Sequence, residues 1–500
     1  MQRVKKNVIC SLLLQIVTII NGLIVPRVLI LYFGSEVNGL VVSITQFLNY
    51  ITLLEGGLSG VVMAALYKPL REGDDIAISS IVKASEHFFR QIAMIYAGYV
   101  CVVAIIYPII IKTPFTYPYV VCLTFALAMS LFVQYFFSLS YRLLLTANQE
   151  GYFVSIVQIV SVIFNILIVI VLPEFYCDIL VIKIACASAF FLQPILFSLY
   201  VKKHFIIDKK VLLNNQALSK RWDGFSQNLA FFIHTNTDVV LLTLFSSLES
   251  VSVYSVYLLI TNGLKTLLIS ISAAIAPTIG HVYADGNIGQ VNAVFKKYEM
   301  LITTLTVSAF TCGCMLLIPF VHIYTNGIDD APYIQPLFGW ILMLAEMFYC
   351  YRDPYVQLTY VAGKFRETAW MAYLEAGTNI VVSIVLIQKF DLLGVAIGTL
   401  LSMVIRMIFT IFYLKREILH RSLFVFVKKI CTQAGAAVVA VCLCEYLFNF
   451  NMASYVEWII KAIGVGAITF SLVLTATCIC NHVNPVIFIR KEIGKEKTND

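Results

Sequence analysis

The sequence predicts an all-α integral membrane protein of about fourteen transmembrane helices, in two pseudo-repeated bundles plus a C-terminal helix pair. Three observations predict it. Hydrophobic residues fill 60% of the 500 positions and charged residues only 13%, with a mean hydropathy of +0.88; soluble domains carry roughly 25% charged residues. Apolar stretches recur along the chain, broken by short polar or Gly/Pro-containing turns, and about 20 apolar residues suffice to cross a hydrocarbon layer roughly 30 Å thick. Basic residues collect in alternate connections, as expected of a multi-pass topology.

The first apolar run, 8–33, follows Arg3, Lys5 and Lys6. It is too long for a signal peptide, and no small-x-small cleavage site follows in a suitable place, so it is read as a retained first helix. Further spans are expected at 37–65, 88–112, 119–145, 152–172 and 179–201, which completes an N-terminal six-helix bundle over 1–201. The connection 202–222 is strongly basic and carries Trp222, which suits the cytoplasmic headgroup layer and a linker between bundles. A second six-helix bundle over 223–414 takes spans at 223–246, 251–275, 298–323, 336–360, 370–388 and 392–414. Spans at 428–449 and 455–481 form the C-terminal pair within 415–481, and a cytoplasmic tail occupies 482–500.

The charge distribution supports this count. With the N-terminus cytoplasmic, 27 of the 35 Lys and Arg residues fall in cytoplasmic segments, while Lys112, Lys183 and Lys389 are alone in the opposite loops. One miscounted helix would reverse every later loop. Both termini are therefore expected on the cytoplasmic side of a plasma membrane. The formal charge of +7 is then a matter of topology and anionic lipid headgroups, with no nucleic acid as partner. A faint internal echo divides the chain similarly. A shift of 213 positions pairs Glu36 with Glu249, Asn49 with Asn262, Ser59 with Ser272 and Gly73 with Gly286. Two related bundles suit alternating access.

Several chemistries are not expected. Of the thirteen cysteines, twelve lie in or beside apolar stretches, no CxxC has metal spacing, and Cys177 is the main candidate for exposure. There is no GxxxxGK[ST] loop and no HExxH. No loop is long enough for a soluble catalytic domain. The sequence therefore points to no catalytic residues, no metal ligands and no cofactor. Energy would come from an ion gradient, the membrane potential, the substrate gradient or a separate partner, which leaves H⁺ or Na⁺ coupling open.

Ionisable residues inside the spans are the candidate site, because a charge at mid-helix costs roughly 2.5 to 3.5 kcal/mol on translocon scales and faces a cavity or a partner. Arg27 follows Pro26 in the first span, with Asn21 about two turns earlier. In the seventh span His234 and Asp238 stand four residues apart on one face, with Asn236 nearby. Lys265 lies in the eighth. The expectation is a hydrophilic cavity between bundles, with cationic groups receiving an anionic substrate, and with Asp238 pairing Lys265 or Arg27 or exchanging a proton as His234 titrates. The bland alternative is a satisfied Asp–Lys pair and an ordinary buried histidine. The tenth span holds Glu346, Arg352 and Asp353, then Pro354, which is expected to kink the helix. Adjacent Arg352 and Asp353 cannot face each other on one helix, so each needs a separate partner. Arg352 and Arg406 join the cavity candidates; Glu346, Asp353 and Glu375 are structural or coupling candidates. Glu55, beside Gly56 and Gly57, is placed at a close helix contact, with Gly56 and Gly60 forming a GxxxG.

Several stretches, taken in order, resemble a known family. They are YFGSEVNGLVVSITQFLNYITLLEGGLSGVVMAALYKPL at 32–70, YRLLLTANQEGY at 141–152, TNTDVVLL at 235–242, and the run from YRDPYVQLTYVAGKF to LLSMVIR at 351–406. They are similar to bacterial polysaccharide-biosynthesis membrane proteins, the oligosaccharide and O-antigen flippases of the multidrug/oligosaccharidyl-lipid/polysaccharide exporter superfamily. The resemblance spans nearly the whole chain and implies about fourteen helices. It also implies flipping of an undecaprenyl-diphosphate-linked oligosaccharide from the cytoplasmic to the outer leaflet, for capsule, O-antigen or exopolysaccharide assembly. The implied partners are that polyprenyl-diphosphate-linked oligosaccharide, membrane lipids and polysaccharide polymerase machinery. The competing readings are a cation-coupled drug exporter of the same superfamily, a lipid II flippase, and a non-transporting scaffold of a polysaccharide assembly complex. Asp238, Glu346 and Glu375 favour the exporter, since carboxylates would bind the coupling ion.

Overall fold

Long apolar runs flanked by Gly, Pro and capping residues become helices, because in lipid each helix satisfies its own backbone groups. The computed structural model describes residues 2–55, 58–111, 113–208, 211, 225–284, 287–481 and 483, and these are all helix and connection, without strands. In chain order the helices are α1 (Gln2–Phe33), α2 (Ser35–Asn49), α3 (Leu58–Glu72), α4 (Asp75–Ile110), α5 (Tyr117–Val133), α6 (Leu139–Ala147), α7 (Gly151–Glu174), α8 (Ile179–Phe190) and α9 (Leu192–His204). They continue with α10 (Phe225–Phe245), α11 (Leu248–Ala284), α12 (Ile288–Tyr324), α13 (Pro336–Val361), α14 (Phe365–Phe390), α15 (Leu392–Leu414), α16 (Leu423–Leu447) and α17 (Tyr455–Asn481).

The chain forms two compact units, residues 1–255 and 256–500, with the division inside α11. In the first, α1 packs along α7, α4 along α5, and α5 along α8. Its core runs from Leu40, Ile44 and Leu48 of α2 through Phe89 and Tyr96 of α4 to Leu144 and Phe197. The start of α11 belongs to this unit, and Gly39 lets α2 approach so closely that a Cβ there would strike the Leu248 backbone. In the second unit, α14 pairs closely with α15, α13 lies on α15, and α12 contacts α13, α16 and α17. Gly394 and Gly398 permit the α14–α15 approach, where added Cβ atoms would meet the Leu386 backbone and the Ser383 hydroxyl. Outer faces are apolar: Ile109, Val385 and Ile463 are each more than 60% exposed, which suits lipid rather than water.

Among the described residues, twelve helices are long and apolar enough to cross a membrane, against the fourteen expected. The expected spans 223–246 and 336–360 coincide with α10 and α13 but fall outside that twelve. In α10 the described apolar stretch is only Asn236–Phe245. In α13 every stretch of crossing length contains Glu346, Arg352 and Asp353. The expected single span 37–65 is also broken. A 3₁₀ turn over Tyr50–Glu55 separates α2 from α3, and the Thr52 hydroxyl bonds the Asn49 carbonyl there. The span 179–201 divides at Phe191 into α8 and α9, and a π turn over Gln134–Ser138 divides α5 from α6. By contrast α13 runs through Pro354 without interruption. Lys183 and Lys389, expected in outer loops, lie on α8 and α14. Gly56, Lys112, Trp222, most of the 202–222 connection and nearly all of the tail lie outside the described residues.

The 213-residue echo reappears as helix boundaries. Displacing the starts of α2 and α4 by 213 gives the starts of α11 and α12. The caps match as well: Asp74 accepts from the Ala77 N–H at 2.9 Å, and Asn287 from the Gln290 N–H at 3.1 Å. The units differ at the break, since 248–284 is one helix of 37 residues where 35–72 is two helices and a 3₁₀ turn.

Candidate functional site

In the first unit the polar residues of α2 form a seam. Gly39, Ser43 and Gln46 share one helical face. Ser43 meets Thr243 of α10 at 2.7 Å and accepts from the Tyr107 hydroxyl at 2.8 Å. Gln46 donates to Asn236, whose own amide donates to the Phe232 carbonyl at 2.7 Å. One position before this face, Asn38 donates to Ser252 at 2.8 Å. Asp238, 5% exposed, accepts from the Tyr254 hydroxyl at 2.8 Å. Each such interhelical bond is worth on average about 0.6 kcal/mol in a membrane protein, so the seam acts through number and register. On α1, Asn21 has a buried side-chain oxygen without a hydrogen-bond partner among the described residues. Arg27 is half-buried and engaged. The His234 side chain lies outside the described residues. At the end of the 3₁₀ turn, Glu55 accepts from Ser59 and, at 3.3 Å, from Tyr135.

The second unit concentrates the charge. Lys265 on α11 ion-pairs with Glu346 on α13 at 3.0 Å. The Lys265 ammonium also lies 5.0 Å from the Tyr349 ring centroid, and the Arg352 guanidinium 4.8 Å from it. Arg352 makes a bidentate pair with Glu375 of α14, both bonds at 2.9 Å, and Arg406 of α15 bonds the same carboxylate. Asp353 accepts from Ser272 of α11 and, at 3.3 Å, from Gln357. The adjacent Arg352 and Asp353 thus point to different helices. Exposure separates the cations: Arg352 is 3% exposed and Glu375 0%, while Lys265 and Arg406 are each 16% exposed.

A second charged cluster was not among the sequence expectations. Glu299 of α12 pairs with Arg421 and Lys429, each at 3.1 Å, and accepts from the Tyr355 hydroxyl. Arg421 also donates to the Asn292 side chain at 2.8 Å and its carbonyl at 2.6 Å. Nearby, Tyr351 donates to Gln433, whose amide reaches Thr303 at 3.2 Å and Thr477 at 3.1 Å. These bonds stitch α12, α13, α16 and α17 together. From the sequence, Arg421 and Lys429 count among the cytoplasmic loop cations. The usable signal was Glu299, a lone acid at the edge of an apolar span.

Chemically, these are paired charges on helices. Each triad, Arg352–Glu375–Arg406 and Arg421–Glu299–Lys429, holds two cations around one carboxylate and keeps one positive charge in excess. Such an arrangement attracts an anion or exchanges partners.

No protein-family model matches the chain, and no curated protein matches it. Solved structures do. The chain is similar to the lipid II flippase MurJ in an inward closed conformation, with a TM-score of 0.71 and 16% identity over 96% of this chain and 100% of that one. It is also similar to an inward-facing multidrug resistance MATE family transporter of the MOP superfamily, at TM-score 0.56 and 13% identity, covering 80% of this chain and 94% of that one. The MATE multidrug transporter DinF-BH follows at TM-score 0.55 and 14% identity, over 84% of this chain and 97% of that one. The likeness is one of fold: this chain is built as these membrane transporters are.

Proposed function

We propose that this protein is a flippase that moves an undecaprenyl-diphosphate-linked oligosaccharide from the cytoplasmic to the outer leaflet of the plasma membrane. The observation that carries this reading is the extent of the fold likeness. The lipid II flippase accounts for 96% of the chain, the two multidrug transporters for 80% and 84%. The family resemblance read from 32–70, 141–152, 235–242 and 351–406 points the same way. The physical task fits the residues: a polar glycan cannot cross hydrocarbon unaided, while its polyprenyl tail remains in lipid. The cations with some exposure are best suited to an anionic headgroup. Lys265 and Arg406 in the second unit are the candidate diphosphate ligands, with Glu346 and Glu375 as the carboxylates an incoming anion displaces; Arg27 stays a candidate cation of the first unit. Arg352 is better suited to holding Glu375 in place. We assign no covalent chemistry. Capsule, O-antigen or exopolysaccharide assembly would consume the product, with polymerase machinery as partner. Both termini lie inside, and H⁺ or Na⁺ coupling is an open part of the proposal.

A second reading, lipid II as the cargo, is favoured by the name of the MurJ structure. One experiment separates them. On depletion, the lipid-linked oligosaccharide is probed with an impermeant glycan-modifying reagent in intact cells and in inverted vesicles. Accumulation in the cytoplasmic leaflet, reversed by re-expression but poorly by Lys265→Gln, supports the proposal, and the composition of the accumulated glycan decides between cargoes. Unchanged amount and sidedness, with no second transporter present, rejects flipping and turns attention to drug export or a scaffold role.

A further inference from the structure

The first unit carries a cleft of about 450 Å³ on its outer surface, lined by segments of α4, α6 and α9 and by the π turn between α5 and α6. Its chemistry is divided. Phe136, Phe137, Ile195 and Leu199 make an apolar wall, and Phe137, Ile195 and Leu199 are each about half exposed on helices that cross the membrane. Arg90 of α4 and Lys202 of α9 supply cations. Glu86 stands 3.9 Å from Arg90, so the lining holds one carboxylate against two cations and the cleft is left with net positive charge.

Two helix irregularities border this cleft. The π turn Gln134–Ser138 re-aims Phe136 and Phe137, and the Arg90 guanidinium lies 5.4 Å from the Phe136 ring centroid. Opposite, the helix breaks at Phe191, and Pro194 has no N–H to offer the Phe190 carbonyl. Between the two irregularities lie an apolar wall that accepts a chain and a cationic rim that accepts an anion. A water-soluble anion has no use for the aromatic wall, and a neutral lipid has no use for the unbalanced cations.

From this geometry we infer that the cleft is a binding site for one anionic membrane phospholipid, its phosphate held by Arg90 and Lys202 and one acyl chain laid against Phe136, Phe137, Ile195 and Leu199. The site is separate from the charge clusters of the second unit and does not depend on what the protein transports. Under the proposed topology its cations lie toward the cytoplasmic leaflet.

The test uses the full-length protein in nanodiscs of mixed phosphatidylglycerol and phosphatidylcholine. Lipid retained after a delipidating wash is counted by native mass spectrometry. Phosphatidylglycerol is expected to be retained over phosphatidylcholine, and an excess of inorganic phosphate is expected not to displace it. Near a membrane surface each cation adds about five-fold in affinity for anionic lipid, so Arg90→Gln or Lys202→Gln should cut retention about five-fold and the pair about 25-fold. Equal retention of both lipids, displacement by phosphate, or unchanged retention in the double variant overturns the inference. A measurement on the unaltered protein guards against a misfolded variant. A phosphatidylglycerol carrying a photoactivatable acyl chain should crosslink to 136–137 and 195–199, and crosslinks confined to other segments overturn it equally.

Discussion

Glu375 shows what a single residue does in this molecule. It is fully buried, receives two bonds from Arg352 and one from Arg406, and thereby ties α13, α14 and α15 together. Removing one partner from a buried ion pair typically costs about 3–5 kcal/mol, because the remaining charges stay desolvated. Glu375→Gln, which leaves two guanidinium groups around a neutral amide, should lower unfolding stability in detergent by about that amount. Arg352→Lys loses the fork geometry and should recover only part of the pairing. Equal stability of Glu375→Gln and the unaltered protein would mean that water or lipid headgroups reach this triad. The sequence singled out Arg352, Glu375 and Arg406 as charges needing partners, yet nothing in a linear string said that they find one another. Glu299, Arg421 and Lys429 were harder still. Lys429 reads as a loop cation next to Lys428, and only its position on α16 shows that it turns inward.

At the scale of elements, the twin caps and the broken helix are the informative features. Asp74→Ala and Asn287→Ala each remove a side-chain acceptor from a helix start and should each cost about 1 kcal/mol in unfolding experiments. Cap loss that mattered in only one of the two would show that the repeat shares boundaries but not energetics. Gly39 governs the approach of α2 to the start of α11, where any side chain meets backbone. Gly39→Leu should therefore destabilise by roughly 1–3 kcal/mol or more through overpacking, read as loss of folded protein on size exclusion. Gly22→Ala, at a glycine with open space around it, is the matched control and should be neutral. Helix positions were legible in the sequence because apolar length alone makes them. The 3₁₀ turn at Tyr50–Glu55, the π turn at Gln134–Ser138 and the division at Phe191 were not, since each lies within a stretch whose length and mean hydropathy suit a single span.

For the molecule as a whole, orientation is the property most open to test. In a chain without reactive native cysteines, Asn326→Cys should react with an impermeant maleimide in intact cells, and Lys203→Cys only in inverted vesicles. Exchange of those two patterns would invert the topology and with it the assignment of the cytoplasmic face. Hydropathy and the alternation of Lys and Arg determined by themselves that the chain is a multi-pass helical membrane protein, because lipid penalises exposed backbone and misplaced charge residue by residue. The number of crossing helices was less secure, since α13 trades hydropathy for Glu346, Arg352 and Asp353 and is tolerable in a membrane through its buried partners. Only the tertiary structure decided those partners: Lys265 with Glu346, Arg352 and Arg406 with Glu375, Asp238 with Tyr254. Hydropathy is a property that each residue carries alone. Pairing is a property of two residues brought together by packing, and many packings are compatible with one hydropathy profile.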